Sequence, residues 1–108
     1  MKYEYSKSSL ESLSEFSQDI AEKIQDLIDE AAKDDFFNHE TYSFVYDNHG
    51  TSWDKLDFKK QDLNHRIFFS KIGGKVFILE IIDRDNFEYS PGLYHELENL
   101  DSEIRNNR

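Results

Sequence analysis

The strongest pattern in the chain is an apolar stripe in its first third. Apolar residues recur there mostly at intervals of three or four: Leu10, Leu13, Phe16, Ile20, Ile24, Leu27, Ile28 and Ala31. This spacing places them on one face of an amphipathic helix. Ser17, followed by Gln18 and Asp19, has the character of a helix N-cap within the stripe, so we predict a hairpin of two helices rather than one long helix. Ser8 or Ser9 is the predicted N-cap of the first helix.

The second half of the chain predicts a small antiparallel sheet. Residues 66–70 and 75–82 are rich in Ile, Val and Phe, and they are separated by Ile72, Gly73 and Gly74. Glycine supplies the positive φ that a tight turn needs, so these segments predict a β-hairpin. Nearly every position of the second segment is apolar, which is typical of a strand covered on both faces. Shorter strands are predicted at residues 2–5, 42–46 and 53–58.

The C-terminal part predicts a third, short helix. After Ser90 and Pro91, apolar residues again recur at intervals of three and four: Leu93, Leu97, Leu100 and Ile104. We therefore expect one α+β domain over residues 1–108, in which residues 91–108 form a C-terminal helical extension. The aromatic residues between Phe36 and Tyr46 are expected to pack against the domain, because large exposed aromatic clusters are unusual on monomers.

Composition narrows the classes of protein that this chain belongs to. The chain has no cysteine, which excludes disulfide scaffolds and zinc sites built on thiolates. Its four histidines lie ten or more residues apart and no phosphate-binding or nucleophile motif is present, so we predict neither a metal nor a cofactor. No apolar run approaches the length that crosses a bilayer. We expect a cytoplasmic protein with no membrane partner.

The net charge of −10 is unevenly distributed. Nine acids occupy the predicted helices between Glu11 and Asp35, and such a surface attracts basic partners. Residues 55–75 have the opposite balance, with two aspartates against six basic residues: Lys55, Lys59, Lys60, Arg66, Lys71 and Lys75. That stretch is suited to contact with a phosphate backbone.

The order of these segments resembles the RelE/ParE family of toxins from bacterial toxin–antitoxin pairs. Residues 5–31, YSKSSLESLSEFSQDIAEKIQDLIDEA, resemble the opening of such toxins, in which a strand precedes a leucine-spaced helix and a second helix with the pattern IA-x-x-I. Three later segments resemble the strands of the family in the same order: WDKLDF, HRIFF and KVFILEIIDR. The likeness spans residues 3–90.

The resemblance implies a compact α+β fold and a cognate antitoxin as partner. It also implies that the ribosome and mRNA are partners, since some members cleave mRNA on the ribosome, whereas the members directed at gyrase do not. Arg66 and Arg84 match the basic residues of the last strands and Tyr89 stands near the family's C-terminal tyrosine, which makes these three the candidate catalytic residues. Five lysines are the candidate substrate-binding residues, and the choice among the first three remains open: Lys55, Lys59, Lys60, Lys71 and Lys75.

Two functions therefore remain open from the sequence. The first is a toxin that acts as a ribosome-dependent mRNA endoribonuclease, for which the basic residues must converge on one concave face of the sheet. The chain departs from the family in its pI near 4.7 and in having His65 where a tyrosine often precedes the arginine. The alternative is a non-catalytic acidic binding protein: an immunity protein, a nucleic-acid mimic or an inhibitor of a basic partner.

Overall fold

A computed structural model describes residues 1–58, 63–85 and 91–107. In chain order the described elements are β1 (Tyr3–Tyr5), α1 (Lys7–Glu15), α2 (Gln18–Lys33), β2 (Tyr42–Tyr46), β3 (Ser52–Phe58), β4 (His65–Ile72), β5 (Lys75–Asp83) and α3 (Pro91–Asn106). These elements confirm the predicted α+β class, the break between two N-terminal helices and the hairpin at Gly73 and Gly74. No helix in the described ranges is long and apolar enough to cross a membrane.

The five strands form one mixed sheet in the order β1-β5-β4-β3-β2. Neighbours from β2 to β5 are antiparallel, as expected from their short connections, but β1 lies parallel to β5. The antiparallel sheet predicted to follow the helical hairpin is thus confirmed for β2 to β5, and β1 adds a parallel edge strand to it. Parallel neighbours need a long crossover, and most of the chain, including all three other strands and α1 and α2, lies between β1 and β5.

The N-cap of one helix agrees with the sequence prediction and that of the other does not. The Ser17 hydroxyl accepts a 3.3 Å hydrogen bond from the Ile20 N–H, which confirms the predicted cap of α2. The cap of α1 is Ser6, which accepts from the Ser9 N–H at 3.0 Å, so the prediction of Ser8 or Ser9 was wrong. The backbone N–H of Ser6 also donates to the Ile78 carbonyl, and its hydroxyl donates to the Leu79 carbonyl. Because these bonds to β5 hold Ser6 in place, α1 begins earlier than the sequence predicts.

Helices cover both faces of the sheet and create two hydrophobic clusters. On one face α1 and α2 pack against inward residues of β3, β4 and β5, which include Ile67, Val76 and Ile78. On the other face Leu93 and Leu97 of α3 pack in a cluster with Trp53, Phe68, Leu79 and Ile82. Strand β5 contributes to both clusters, which confirms that it is covered on both sides.

The aromatic segment before β3 is only partly packed. Phe36 is fully buried and Tyr42 packs against the cluster under α2. In contrast, Phe44 and Tyr46 are 52% and 62% exposed. The prediction that these aromatic residues all pack against the domain was therefore wrong for Phe44 and Tyr46. The reason is positional, because β2 is the edge strand of the sheet.

A β-bulge in β5 places a carboxylate between α1 and α3. Phe68 pairs with Glu80 whereas Phe69 pairs with Ile78, so Leu79 is an extra residue on β5. The buried Glu80 carboxylate accepts hydrogen bonds from Ser12 Oγ at 2.7 Å, Ser8 Oγ at 2.5 Å and the Ile81 N–H at 3.0 Å. The two serine hydroxyls attach α1 to the bulge.

Glu96 of α3 lies against the same carboxylate. Burial raises the pKa of Glu96, and both a hydrogen bond to Glu80 and the charge of Glu80 raise it further. The hydrogen bond requires a proton on one of the two carboxyl groups. Ionisation of Glu96 therefore weakens the contact between α3 and β5.

Replacement of this side chain should increase stability at neutral pH. Because the pKa of Glu96 is raised in the folded protein, protonated Glu96 stabilises the fold. This stabilisation is complete below the ordinary pKa of a glutamate and is lost as the pH rises through the pKa of Glu96 in the folded state. Glu96→Gln keeps a hydrogen-bonding group without the charge, so we expect its melting temperature to exceed that of the parent at pH 7. Thermal unfolding followed by circular dichroism should show this gain vanish near pH 4.

The matched control is Glu98→Gln, which neutralises an exposed carboxylate on the same helix. A gain from Glu96→Gln that persists at acid pH, or that Glu98→Gln reproduces, would contradict the interpretation of a Glu80–Glu96 pair.

Candidate functional site

Strands β2, β3 and β4 bring four polar side chains together on the α3 side of the sheet. Lys55 and Asp57 are two residues apart on β3, so they project from the same face. Ser43 of β2 pairs with Lys55, and Arg66 of β4 pairs with Asp57. We call these four residues the polar cluster.

Asp57 is the centre of the polar cluster. Its Oδ1 lies 2.5 Å from Lys55 Nζ and 3.1 Å from Arg66 Nε, and its Oδ2 accepts a 3.1 Å hydrogen bond from the Ser43 hydroxyl. Lys55 Nζ also donates to Ser43 Oγ at 2.6 Å. One carboxylate therefore joins two cations from neighbouring strands.

Burial limits what the polar cluster can bind. The side chains of Lys55, Asp57 and Arg66 are 8%, 11% and 13% exposed. Charges removed from water need hydrogen-bonded partners of opposite sign, and Asp57 supplies one to both cations. This arrangement suits a structural role in the sheet better than contact with a polymer such as mRNA, which must approach the cations directly.

The other predicted cations in the described ranges lie elsewhere. The exposed Lys71 and the half-buried Lys75 are at the hairpin end of β4 and β5. There Lys75 Nζ lies 3.5 Å from Glu4 and 5.5 Å from the Phe77 ring centre. Arg84 follows the far end of β5, and its backbone N–H donates to the Asn64 carbonyl at 2.8 Å. At 3.4 Å per residue, β5 separates the two ends by roughly 27 Å.

The structure thus brings together only part of the predicted site. Lys55 and Arg66 meet through Asp57, whereas Lys71 and Lys75 are at the opposite end of β5 from Arg84. Three further candidates lie outside the described residues: Lys59, Lys60 and Tyr89. Sequence reasoning missed Ser43 and Asp57 as partners. The alternation of Lys55 and Asp57 on one strand was an available signal for Asp57, but only the register identifies Ser43.

His65, next to Arg66, adds no positive charge at neutral pH. It is 4% exposed, and burial lowers its pKa below the ordinary value. Its ring lies edge-on to Phe16 with centres 5.0 Å apart, and its Nδ1 has no hydrogen-bond partner among the described residues. His65 is therefore a neutral core residue at the start of β4.

Helix α2 presents a row of negatively charged side chains to solvent. Six exposed acids, here called the acidic face, follow α2 and its C-cap: Asp19, Glu22, Asp26, Asp29, Glu30 and Asp34. Lys23 pairs with Asp19 at 3.1 Å, and the Tyr3 hydroxyl donates to Asp29. The acidic face lies opposite the apolar stripe, which packs on the sheet.

Within the described ranges, no group of three or more histidine, aspartate or glutamate side chains is placed to hold a metal ion. Comparisons of the chain with protein-family models, with curated proteins and with solved structures find no match. A function for this chain must therefore be inferred from its own geometry and charge.

Removal of the central carboxylate tests the structural role of the polar cluster. Asp57→Asn leaves Lys55 and Arg66 buried without the negative charge that they share, and breaking a buried ion pair typically costs about 3 kcal/mol. We expect a loss of that size in the free energy of unfolding, measured by urea denaturation. The control Asp26→Asn removes an exposed carboxylate and should change stability by less than about 0.5 kcal/mol. Equal effects of the two substitutions would contradict this role for Asp57.

Proposed function

We propose that this chain is a non-catalytic acidic binding protein that recognises a basic partner through the acidic face of α2. The observation that carries the proposal is the different placement of the two kinds of charge. The side chains of Lys55 and Arg66 are largely enclosed around Asp57, at 8% and 13% exposed, whereas the acids of α2 are exposed to solvent. A partner therefore meets negative charge on this helix.

The acidic face has the length of a protein-binding surface. From Asp19 to Asp34 it extends roughly 22 Å at the helical rise of 1.5 Å per residue. Its acids recur mainly at intervals of three and four, so they form one continuous row along the helix. Clustered charge of one sign accelerates encounter with a partner of opposite sign and disfavours partners of the same sign.

The same placement argues against binding of mRNA. A phosphate backbone is held by accessible cations, and the affinity depends on how many of them reach it. The buried Lys55 and Arg66 share a carboxylate, and Lys71 and Lys75 are at the far end of β5 from Arg84. The net charge of −10 adds long-range repulsion.

A charge-reversal experiment tests the proposal. The probe is a fluorescein-labelled decalysine peptide, and its binding is measured by anisotropy at about 50 and 300 mM NaCl. We expect the parent to bind more weakly at the higher salt concentration. The triple variant Glu22→Lys, Asp26→Lys and Glu30→Lys should weaken binding at low salt by at least about tenfold, because it reverses the centre of the acidic face.

The matched control is Glu11→Lys, Glu98→Lys and Glu103→Lys, which changes the net charge equally at exposed sites on α1 and α3. We expect it to retain most of the affinity. If both triple variants lose affinity equally, the peptide responds to net charge alone and α2 is not a specific surface.

The second candidate is the RelE/ParE-like toxin. The order of elements favours it, because a strand, two helices and then antiparallel strands with a Gly73–Gly74 turn agree with the resemblance. In this candidate Arg66, Arg84 and Tyr89 would act on mRNA, a lysine among Lys55, Lys59 and Lys60 would assist, and a cognate antitoxin would be the partner. The ion pair of the largely buried Arg66 side chain with Asp57 makes the toxin the weaker candidate.

Tightly induced expression in a bacterial host separates the two functions. An acidic binding protein without catalysis should leave growth equal to that of a host with the empty vector. Growth arrest with mRNA cleaved on ribosomes would overturn the proposal in favour of the toxin. Arrest without cleavage would also contradict it and would indicate another essential target.

A further inference from the structure

The two edges of the sheet are protected to very different degrees. The edge strand β1 has three residues, and its Glu4 pairs with Lys75 at 3.5 Å. At the other edge β2 has five residues, Tyr-Ser-Phe-Val-Tyr, with no charge, glycine or proline. Proteins usually guard a sheet edge with charge, proline, a bulge or a very short strand, because unpaired backbone groups there accept another strand. Among these devices the described part of β2 shows none.

The face of β2 next to α2 carries a row of aromatic side chains. Tyr42, Phe44 and Tyr46 alternate along the strand and therefore project to the same side. Phe44 and Tyr46 are 52% and 62% exposed, and their ring centres lie 5.5 Å apart. Two aromatic rings thus remain about half exposed to water beside an edge that no described strand covers.

The backbone of β2 has bonding groups directed away from β3. The residues that flank β2 bond towards the β3 side: the Thr41 carbonyl accepts from the Asp57 N–H of β3, and the Asp47 N–H donates to the carbonyl of Thr51, just before β3, each at 2.9 Å. Because bonding alternates along an antiparallel strand, the N–H and carbonyl groups of Phe44 and Tyr46 point to the open edge. The Tyr42 carbonyl also points there, while its N–H donates to the His39 carbonyl. The backbone N–H and carbonyl groups that point to the outer edge of β2 therefore belong to its aromatic residues.

We propose that β2 is a self-association surface, at which a second copy of this chain pairs antiparallel about a two-fold axis through Phe44. The strand is nearly symmetric around Phe44, so this axis places Tyr42 opposite Tyr46 of the second copy and Ser43 opposite Val45. Phe44 then exchanges two backbone hydrogen bonds with its own counterpart. The Tyr46 N–H meets the Tyr42 carbonyl of the other copy, which gives four backbone bonds in total.

The charges around β2 agree with a second copy as the occupant. In this register Asp47 lies opposite Thr41 and Glu40 opposite Asn48, so no acid faces an acid across the new pair of strands. A basic peptide would gain nothing from the uncharged side chains of β2, whereas an identical strand matches both its aromatic residues and its bonding groups. The interface is isologous, as two-fold pairing requires.

The expected association is weak and has a characteristic salt dependence. The four exposed rings would bury at most roughly 450 Å², taking about 200 Å² for each whole side chain. With the strand edges added, such a contact belongs to the small, transient class of interfaces, with a dissociation constant on the order of 100 μM.

Two chains of charge −10 repel each other, so dimerisation should strengthen as salt screens that repulsion. The proposed binding of a basic partner weakens with salt, which distinguishes the two interactions.

Sedimentation equilibrium on the full chain tests the dimer. Samples from about 10 to 500 μM should show a monomer–dimer equilibrium whose dissociation constant falls at least about threefold between 50 and 500 mM NaCl. A mass that stays monomeric at the highest concentration and salt would overturn the proposal. So would a dimer that weakens as salt is raised.

Phe44→Lys places two ammonium groups opposite each other at the two-fold axis and should raise the dissociation constant at least about tenfold. Leu10→Lys is the matched control, since Leu10 on α1 is 51% exposed and undergoes the same change in charge. Circular dichroism checks that both variants fold, and Tyr46→Lys replaces the first variant if it does not. If Phe44→Lys and Leu10→Lys raise the dissociation constant of the dimer equally, the proposal is overturned.

A cross-link tests the register itself. The chain has no cysteine, so Phe44→Cys introduces a single thiol. Residues exchanging both backbone bonds have Cα atoms about 5.5 Å apart, which is within the range of a disulfide. Mild oxidation should yield a disulfide-linked dimer on a non-reducing gel, while Leu10→Cys should remain mostly monomeric. If Phe44→Cys and Leu10→Cys form disulfide-linked dimers at equal rates, the two-fold pairing through Phe44 is overturned.

Discussion

Strand β5 pairs through its backbone with β1 on one side and β4 on the other, while its side chains enter both hydrophobic clusters. Ile78 and Leu79 are fully buried on opposite faces of the sheet. The bulge at Leu79 turns Glu80 towards α1 and α3, where its carboxylate accepts hydrogen bonds from Ser8 and Ser12 of α1. The positions of β1, α1 and α3 therefore all depend on how this one strand is buried.

The polar cluster shows why residue type alone is a poor guide to a binding site. Lys55 and Arg66 belong to a basic stretch that is suited to phosphate binding, and the sequence identified both. It could not identify their shared bonds to Asp57, because those bonds exist only after β3 and β4 pair in a particular register. Because one largely buried carboxylate pairs with both cations, their placement favours a role within the sheet over contact with RNA.

The two proposed surfaces lie on different elements and are compatible with each other. Pairing through β2 keeps both copies in one continuous sheet, with their α2 helices on the same side of it. A dimer would therefore present two acidic faces to the same side. A basic partner that spans both would gain from the second contact, since that contact forms at a high effective concentration. Weak self-association would in this way increase binding without any new residue contact.

The sequence by itself determined the elements that depend on neighbours along the chain. The spacing of apolar residues located α2, Ser17 identified its N-cap, and the two glycines identified the hairpin of β4 and β5. Tertiary structure decided the features that depend on residues far apart: the parallel pairing of β1 with β5, the cap at Ser6 and the exposure of Phe44. Periodicity reports only which face of an element is apolar. Whether that face is covered depends on the position of its strand in the sheet, and β2 is at the edge.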